Sequence, residues 1–333
     1  RFVIYCFYFI SNCFITMNKN SKIFIAGHNG LVGGAVYRVL KKKGFKKIIV
    51  ASRKELDLKN KKKVHNFFKN KRPEYVIMCA AKVGGILENK NYQLDFLLEN
   101  TEIQNNILLS AKKFKIKRVI FLGSSCIYPR VSKIPIKEDY IMSGKLEKTN
   151  EAYAMSKLYG IKLSSILYED FNQDIVCLMP TNLYGINDNF DIKSSHVIPG
   201  LISKFLNAKK NKTNIYVWGT GKPIREFMYV DDLVDAILRV LSIPKLKLTK
   251  IFKKKLPIFN VGTGESVSIL KLVNKIKKIT RFNGKIIFDK KFPDGTMNKN
   301  LDSSKIRKLK WKPKIRLNTG LKKVINSRLK LVN

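Results

Sequence analysis

Three neighbouring side chains in the segment LGSSCIYPR carry groups that could do chemistry at the end of a strand. Ser124, Ser125 and Cys126 place two hydroxyls beside a thiol, directly after the apolar run 118–121. Serine is an ordinary turn residue and a free cysteine is usually a small buried hydrophobe, so a purely structural role stays open. A hydroxyl in this position could instead hold a carbonyl oxygen, and a thiolate could act as a base.

A second pair of reactive groups, Tyr153 and Lys157, lies one helical turn apart in the segment YAMSK. Residues at i and i+4 share one face of a helix, so the phenol and the ammonium are expected to lie close together. A nearby positive charge lowers a phenol pKa that is otherwise about 10, which makes the phenol a competent proton donor or acceptor. With a serine hydroxyl, this pair predicts a hydride-transfer site that uses a nicotinamide cofactor.

Gly27, Gly30 and Gly33 form a G-x-x-G-x-x-G pattern between a predicted strand, 22–26, and a helix that closes on Gly44. Glycines at such a junction let the backbone turn tightly and approach a pyrophosphate, which binds at the positive helix N-terminus. The pattern alone is weak evidence. Its position between a strand and a helix makes it a candidate dinucleotide-binding loop.

The second predicted strand ends in a segment that bears on the choice of cofactor. An acidic residue here would accept hydrogen bonds from a ribose 2′-hydroxyl, but Ser52, Arg53 and Lys54 offer a hydroxyl and two cations. These groups suit a 2′-phosphate, so we predict NADP(H) rather than NAD(H). The alternative is that both cations belong to the general excess of lysine and arginine.

Apolar strands alternate with helices around these groups. Strands are predicted over 22–26, 46–51, 74–81, 118–125 and 174–185. The βαβ order predicts an α/β fold, a Rossmann-type doubly wound parallel sheet with helices on both faces. The order loosens from about Asn187, which indicates a smaller C-terminal substrate-binding lobe.

The chain divides into predicted segments on this basis. Residues 1–16 are apolar and aromatic, but the run is too short and interrupted for a membrane span and lacks a clear signal-peptide cleavage site. We interpret Met17 as the functional start and the residues before it as an upstream extension. The NADP-binding Rossmann domain is predicted to comprise 17–183 and 226–262, and the substrate-binding lobe to comprise 184–225 and 263–333.

Composition limits the classes of function. The formal net charge is +42, but the lysines are spread over the chain without a nucleic-acid-binding motif, so we predict no nucleic-acid partner. The basic surface should instead attract an anionic substrate. Five cysteines without a CxxC pair indicate a reducing, cytoplasmic setting, and three histidines argue against a metal site. No other segment is predicted to enter a membrane.

Several longer segments resemble the extended short-chain dehydrogenase/reductase family, whose members act on nucleotide sugars. The resemblance runs from about Lys22 to Trp311, and its most specific segments are SSCIYP, SSHVIPGL and GKPIREFMYVDD. These segments look like those of members that convert GDP-4-keto-6-deoxy-D-mannose to GDP-L-fucose by 3,5-epimerisation and 4-reduction. The resemblance therefore implies a GDP-sugar substrate, NADPH as cofactor and a homodimer.

The same resemblance implies a role for each reactive group. It assigns Ser124 to hold the substrate carbonyl, Tyr153 and Lys157 to the reduction, and Cys126 and His196 to acid–base chemistry. A ketone at C4 acidifies the protons at C3 and C5, and inversion there needs a base on one face and an acid on the other. A plain reductase has no evident need for the thiol. The structural alternative is a buried filler cysteine and a capping or core histidine.

The residues and the resemblance together predict the binding positions, and no metal site is predicted. The cofactor positions are Gly27, Gly30, Gly33, Arg53, Asp57, Leu58, Gly123, Lys157, Pro180, Asn182 and His196. The substrate positions are Asn182, Lys204, Trp218, Arg225 and Lys299.

The chain departs from the family pattern at a few binding positions. Asn29 and Lys204 stand where arginine is expected, and Met297 and Asn298 replace a proline and an arginine. These changes bear on affinity more than on reaction type. Two alternatives remain. One is another nucleotide-sugar epimerase or a 4,6-dehydratase of the same family. The other is a non-catalytic Rossmann protein that binds NADPH or RNA. A dehydratase would be expected to carry an Asp-Glu pair beside the serine instead of a thiol.

Overall fold

The computed structural model describes residues 17–192, 194–292 and 294–332, so the interpretation of residues 1–16 lies outside the described residues. The strands of the described part are β1 (Ile23–Ala26), β2 (Ile48–Ile49), β3 (Tyr75–Met78), β4 (Arg118–Leu122), β5 (Ile175–Pro180), β6 (Asn182–Tyr184), β7 (Ile215–Trp218), β8 (Ile224–Tyr229), β9 (Ile258–Val261), β10 (Ser266–Ser268), β11 (Ile286–Asp289) and β12 (Asn298–Lys299). Its helices are α1 (Leu31–Lys42), α2 (Lys61–Lys71), α3 (Ile86–Asn91), α4 (Gln93–Lys113), α5 (Glu151–Glu169), α6 (Val197–Asn211), α7 (Val230–Leu241), α8 (Lys245–Ile251), α9 (Ile269–Thr280), α10 (Ser304–Arg307) and α11 (Leu317–Val332). None of these helices combines the length and the apolar composition needed to cross a membrane.

Among the described residues, six parallel strands form the central sheet in the order β2-β1-β3-β4-β5-β9. From β1 the chain moves outward to β2 and then crosses back to pair β3 with the other side of β1. This reversal creates a topological switch point at the carboxyl ends of β1 and β3, where open α/β sheets bind their ligands. The predicted doubly wound parallel sheet is confirmed.

The hydrophobic core lies on both faces of this sheet, because successive side chains of a strand point to opposite sides. On β1, Ile23 and Ile25 pack in one cluster with α1 and α7. Phe24 and Ala26 pack in a second cluster with α2, α4 and α5. All four residues of β1 are buried, as expected for a parallel strand that is covered on both faces.

The strand predicted over 174–185 is divided in the structure at Thr181. Its first part, β5, stays in the central sheet beside β9, whereas its second part, β6, pairs with β8. The backbone N–H of Thr181 donates to Val261 O at 3.0 Å, and its hydroxyl donates to Glu226 O, also at 3.0 Å. This residue therefore marks the place where the chain passes from the central sheet to the second group of strands.

The second group of strands is built around β8. Its first half pairs with antiparallel β10 and parallel β12, and its second half pairs with β6. Strands β7 and β11 form a separate parallel pair, and α6 packs against α9. These elements form the smaller C-terminal lobe of the predicted fold class. The boundaries predicted for the two domains stay a prediction.

A buried ion pair ties the start of β4 to the neighbouring strand and helix. Arg118 Nη2 lies 2.8 Å from Asp174 Oδ2, and the two side chains are only 5% and 8% exposed. Arg118 Nη1 also donates to the backbone carbonyls of Val240 at 2.8 Å and Ile243 at 2.6 Å. Removing one partner of such a pair leaves the other charge buried without compensation.

We expect Arg118→Met to lower the free energy of unfolding by about 3–5 kcal/mol, because the Asp174 carboxylate loses its counter-charge in the protein interior. The control is Lys314→Met, which breaks an exposed ion pair with Asp235 at 2.8 Å. We expect that change to cost less than about 1 kcal/mol. Urea unfolding measures both, and similar losses in the two variants would contradict the prediction.

Candidate active site

The glycine loop joins β1 to the N-terminus of α1 at the switch point. Gly27 has φ +84°, and a Cβ on it would lie 2.7 Å from the backbone of Ala80. A Cβ on Gly33 would lie 2.1 Å from the carbonyl oxygen of Gly27, so both positions need glycine for packing alone. Gly30 caps the helix and has open space, with no other atom closer than 3.6 Å to its Cβ position. This open position fits a pyrophosphate at the helix N-terminus.

Ser52 and Arg53 lie in the loop after β2. The Arg53 side chain is 75% exposed, and its Nη2 lies 3.8 Å from Glu99 Oε2 on α4. Glu99 also pairs with Lys59 at 3.4 Å and with Lys82 at 2.8 Å. Because the carboxylate is shared and its contact with Arg53 is long, the exposed guanidinium can turn toward a phosphate group.

The loop that contains Asp57 and Leu58 is held against α4. The side-chain amide of Asn106 donates to Leu58 O at 2.9 Å and to Lys59 O at 2.8 Å. Asp57 accepts the N–H of Lys59 at 3.0 Å. These bonds hold the loop, which follows β2, against α4.

The remaining predicted cofactor positions follow β4 and β5 at the same edge of the sheet. The N–H of Gly123 donates to Leu178 O at 2.9 Å, and a Cβ on Gly123 would lie 2.3 Å from Met179 Sδ. Gly123 is therefore required by packing between the strands. Pro180 ends β5 and Asn182 begins β6, so both lie where the chain leaves the central sheet.

Ser124, Tyr153 and Lys157 come together where β4 meets α5. The Ser124 hydroxyl accepts the N–H of Cys126 at 3.2 Å and lies near enough to the Tyr153 phenol to oppose the rise of its pKa. Lys157 Nζ donates to Leu122 O at 2.8 Å and lies 5.8 Å from the centre of the Tyr153 ring. The three residues predicted from sequence to carry the reduction therefore lie together in the structure.

Burial shifts the two titrating groups of this cluster in opposite directions. It raises the pKa of Tyr153 well above the ordinary value, an effect that nearby Cys126 reinforces and the Ser124 hydrogen bond opposes. It lowers the pKa of Lys157 to about 8. The net shift is opposite to the predicted lowering, because burial outweighs any effect of the Lys157 ammonium, which donates to Leu122 O and not to the phenol. At neutral pH the phenol keeps its proton and can act as a donor.

Cys126 lies in the turn directly after Ser124 and is a free, half-buried cysteine. Lys299 Nζ lies 3.8 Å from its Sγ. Parallel pairing of β12 with β8 sets Lys299 opposite Arg225, and Arg225 also interacts electrostatically with Cys126. Sequence reasoning assigned both cations to the substrate alone. It missed the contact of Lys299 with the thiol and the electrostatic effect between Arg225 and the thiol, since nothing local links residue 126 to strands so far along the chain.

His196 lies at the N-terminus of α6. Its imidazole reaches solvent, yet the protein around it desolvates the charged form and lowers its pKa below the ordinary value. The segment before it is anchored to the loop that precedes α3, because the N–H of Gly85 donates to Ser194 O at 3.1 Å. His196 and Cys126 therefore come from separate segments, and their action on opposite faces of one sugar stays a prediction.

Asp188 is a titratable group in this region that sequence reasoning did not single out. Its carboxylate accepts the N–H of Asn189 at 2.8 Å, while Oδ2 is buried without a partner among the described atoms. Burial raises the pKa of Asp188 to about 7. Asp188 is an ordinary loop residue in sequence, and only the three-dimensional packing reveals its environment.

Trp218, a predicted substrate position, ends β7 and forms part of an aromatic surface. Its indole stacks on Phe292 with ring centres 4.4 Å apart and planes 12° apart. Lys204 Nζ lies 5.2 Å from the Trp218 ring and donates to Tyr216 O at 2.9 Å. The stack offers a flat apolar face of the kind on which a nucleobase can lie. Phe292 was not predicted, because no local pattern distinguishes it from a core residue.

The other departures from the family pattern lie at accessible or partly accessible positions. Asn29 is exposed in the glycine loop, and Met297 is 53% exposed before β12. Asn298 belongs to β12, where its Oδ1 is buried without a partner among the described atoms. In the described ranges, no three His, Cys, Asp or Glu side chains are grouped so that they could hold a metal ion.

Comparisons with known proteins place this chain among sugar-nucleotide enzymes. The sequence model of the NAD dependent epimerase/dehydratase family matches residues 23–262. A putative GDP-L-fucose synthase 2 of Arabidopsis thaliana is 44% identical over 306 residues, which cover 92% of this chain and 90% of the relative. The GDP-L-fucose synthase of Escherichia coli (strain K12) is 40% identical over 304 residues, 91% of this chain and 95% of that protein.

A solved structure extends the likeness to three dimensions. A GDP-D-glycero-L-gluco-heptose synthase from Campylobacter jejuni, determined in the presence of NADPH, is 34% identical and superposes with a TM-score of 0.86 over 94% of this chain and 99% of that one. These matches confirm the resemblance that the motifs indicate. The chain belongs to the NAD dependent epimerase/dehydratase family, a part of the extended short-chain dehydrogenases/reductases.

Proposed function

We propose that this protein converts GDP-4-keto-6-deoxy-D-mannose to GDP-L-fucose by 3,5-epimerisation and NADPH-dependent 4-reduction. The observation that carries the proposal is the position of the Cys126 thiol, in the short turn that begins at Ser124 and near Tyr153, at the carboxyl edge of the sheet. A reductase needs the hydroxyl pair alone. An enzyme that also inverts carbons beside the ketone needs a base in the same place.

Binding of NADPH is supported by the open Gly30 position at the start of α1 and by the exposed guanidinium of Arg53. Bound NADPH would supply the hydride for C4 of the sugar. Asp57, Leu58, Gly123, Pro180, Asn182 and His196 are the further chain positions proposed to contact it. Gly27 and Gly33 contribute by allowing the loop to fold tightly enough for the approach.

In the reduction, Tyr153 donates the proton that the C4 oxygen receives, and Ser124 orients that oxygen through its hydroxyl. The raised pKa of Tyr153 means that the phenol is fully protonated before the step. Once the proton has left, the positive charge of Lys157 stabilises the phenolate across the short distance between them. Lys157 must therefore be protonated for an efficient step.

In the epimerisation, Cys126 as a thiolate removes a proton from C3 or C5, and the electron pair moves to the C4 oxygen. His196 then gives a proton to the opposite face of the same carbon. Its lowered pKa makes the imidazolium a stronger acid and also leaves a smaller fraction of it at neutral pH. Between these two proton transfers the C4 oxygen carries negative charge. Ser124 and Tyr153 hydrogen-bond to this oxygen, as the donors of an oxyanion hole do.

The GDP moiety is proposed to lie over the C-terminal lobe. Trp218 and Phe292 offer the stacking surface for the base, and Lys204, Arg225 and Lys299 offer positive charge for the diphosphate. The likeness to a C. jejuni GDP-heptose enzyme favours a second candidate, a different GDP-4-keto-sugar as substrate of the same site. Identification of the sugar product from each candidate substrate separates the two.

We further propose a homodimer in a reducing, cytoplasmic setting. Large apolar side chains are exposed along the packed helices α4 and α5, and they are Leu94, Leu98, Leu109, Met155, Tyr159 and Ile166. Such a surface is typical of a helix-mediated dimer contact. Cys79, Cys126 and Cys177 are free thiols, as expected in a reducing compartment. Light scattering would measure the mass of the particle in solution.

The decisive test of the function is hydrogen exchange at C3 and C5. In D₂O, with a non-reducing cofactor analogue bound, the unmodified enzyme is expected to place deuterium at both carbons. Cys126→Ser should suppress the exchange by about 10² or more, because a serine hydroxyl is a poor base near neutral pH, and His196→Asn should suppress it too. NADPH binding should survive in both variants. Undiminished exchange in Cys126→Ser would remove the thiol from the mechanism.

Cofactor choice depends on the exposed Arg53 guanidinium. We expect kcat/KM for NADPH to exceed that for NADH by about tenfold or more, and Arg53→Asp to narrow or reverse this ratio, because a carboxylate repels the 2′-phosphate. Lys271→Asp is the control for a general loss of positive charge, since Lys271 is exposed on α9 in the other lobe. Equal use of both cofactors by the unmodified enzyme would contradict the prediction.

The rate of reduction should fall as the pH rises through about 8, the pKa of Lys157, because deprotonation removes the charge that stabilises the phenolate. Single-turnover oxidation of NADPH, followed by absorbance across neutral to alkaline pH, measures this dependence. Tyr153→Phe should be slower by about 10² or more at every pH, with cofactor binding retained. A rate that stays constant well above that pH would show that Lys157 is not required as a cation.

A further inference from the structure

The ammonium of Lys299 contacts the thiol of Cys126. Lys299 Nζ lies 3.8 Å from Cys126 Sγ, although the two residues are 173 positions apart in the chain. Lys299 is half-buried and belongs to β12, which is held in register by β8. The N–H of Ile224 on β8 donates to Met297 O at 2.8 Å just before this pairing begins. Strand pairing with β8 therefore fixes the backbone of Lys299 near the thiol.

The charges around the thiol are mainly positive on the side of the C-terminal lobe. Lys299 and its strand partner Arg225 face Cys126 from β12 and β8. Tyr153 faces it from α5, and its phenol is neutral at physiological pH. Glu147 and Asp294 act on Arg225, so they offset part of the arginine's charge. Lys299 is then the cation in direct contact with the sulfur.

We propose that Lys299 is a positioning residue for the acid–base step: its ammonium stabilises and orients the Cys126 thiolate, in addition to any contact with the diphosphate. This inference rests on the proposed function for its catalytic meaning. A cation beside a cysteine increases the thiolate fraction near neutral pH, and only the thiolate can remove a proton from carbon.

The step balances without another reactant. The C–H bond at C3 or C5 breaks, an S–H bond forms on Cys126, and the electron pair moves to the C4 oxygen of the enolate. When His196 has protonated the opposite face, the imidazole recovers a proton from water and the thiol releases one. Lys299 keeps its charge throughout, because it acts on the sulfur and does not carry the proton.

A lysine that served the diphosphate alone would lie by the phosphates and leave the thiol unaffected in the absence of substrate. The two roles are therefore separable in the unliganded enzyme. Thiolate content can be followed there by the rate at which iodoacetamide alkylates Cys126, quantified on the tryptic peptide so that other cysteines do not contribute. Burial raises the pKa of Cys79 and of Cys177, so these two thiols should react slowly.

We expect Lys299→Met to slow alkylation of Cys126 at neutral pH by about tenfold and to move the whole pH–rate profile to higher pH. Lys299→Arg should restore much of the rate, because it keeps the positive charge. Lys271→Met, which removes an exposed lysine from α9, should behave like the unmodified enzyme. Retained NADPH binding in each variant shows that the fold is intact.

An unchanged alkylation profile in Lys299→Met would overturn the inference, whatever the effect of that change on KM for the GDP-sugar. The exchange experiment at C3 and C5 is independent of this readout. Absence of exchange in the unmodified enzyme would overturn the proposed function, while a profile that depends on Lys299 would still place the ammonium on the thiol. If the proposed function and the role of Lys299 are both correct, Lys299→Met should lower the rate of exchange at C3 and C5 at saturating substrate by about tenfold. This is the same factor by which the alkylation of Cys126 is expected to slow.

Discussion

The site depends on a single buried carboxylate, Glu226, which has no exposed surface. Its Oε1 accepts the N–H of Gly264 at 2.7 Å and its Oε2 accepts the N–H of Leu301 at 3.2 Å. Its backbone oxygen accepts the side chains of Thr181 at 3.0 Å and Asn182 at 2.9 Å. One residue therefore joins the end of the central sheet to the strands that carry Arg225 and Lys299, the cations proposed to bind the substrate.

Burying this carboxyl group is costly, so its oxygens need hydrogen-bond donors close by and little room is left for other side chains. Burial raises the pKa of Glu226, and the hydrogen bonds from Gly264, Leu301 and Thr263 oppose that shift by stabilising the anion. A Cβ on Gly262 would lie 2.4 Å from Glu226 Oε1, so the chain needs glycine there to let the backbone donors approach. Arg225 precedes this anchor directly, and Lys299 lies two residues before Leu301. The backbones of both cations are consequently held in place by this anchor and by the pairing of β12 with β8.

The sequence predicts well those parts of the site that are local. The glycines at 27, 30 and 33 stand at a strand-to-helix junction in sequence and in space, and a one-turn spacing brings Tyr153 near Lys157. Local spacing could not predict the direction of the Tyr153 pKa shift, because it depends on burial by residues from several segments. Nor could it predict the Lys299–Cys126 contact or the Trp218–Phe292 stack, which require the pairing of distant strands. The break of the strand at Thr181 has the same origin, since it is set by partners in β8 and β9.

The distribution of charge shows why position matters more than number in this protein. The formal net charge of +42 is spread over the surface, where solvent screens each lysine and the ions act together as a diffuse attraction for an anionic substrate. The lysines of the site work under different conditions. Desolvation lowers the pKa of Lys157 and of Lys204, and each ammonium donates a hydrogen bond to a backbone oxygen, Leu122 O and Tyr216 O respectively. A charge that is partly desolvated acts strongly over short distances. Lys157 Nζ lies 5.8 Å from the centre of the Tyr153 ring, and Lys299 Nζ lies 3.8 Å from the Cys126 sulfur. The excess of surface lysines can therefore vary without changing the proposed chemistry, whereas the roles proposed for Lys157, Lys204 and Lys299 depend on where each of them lies.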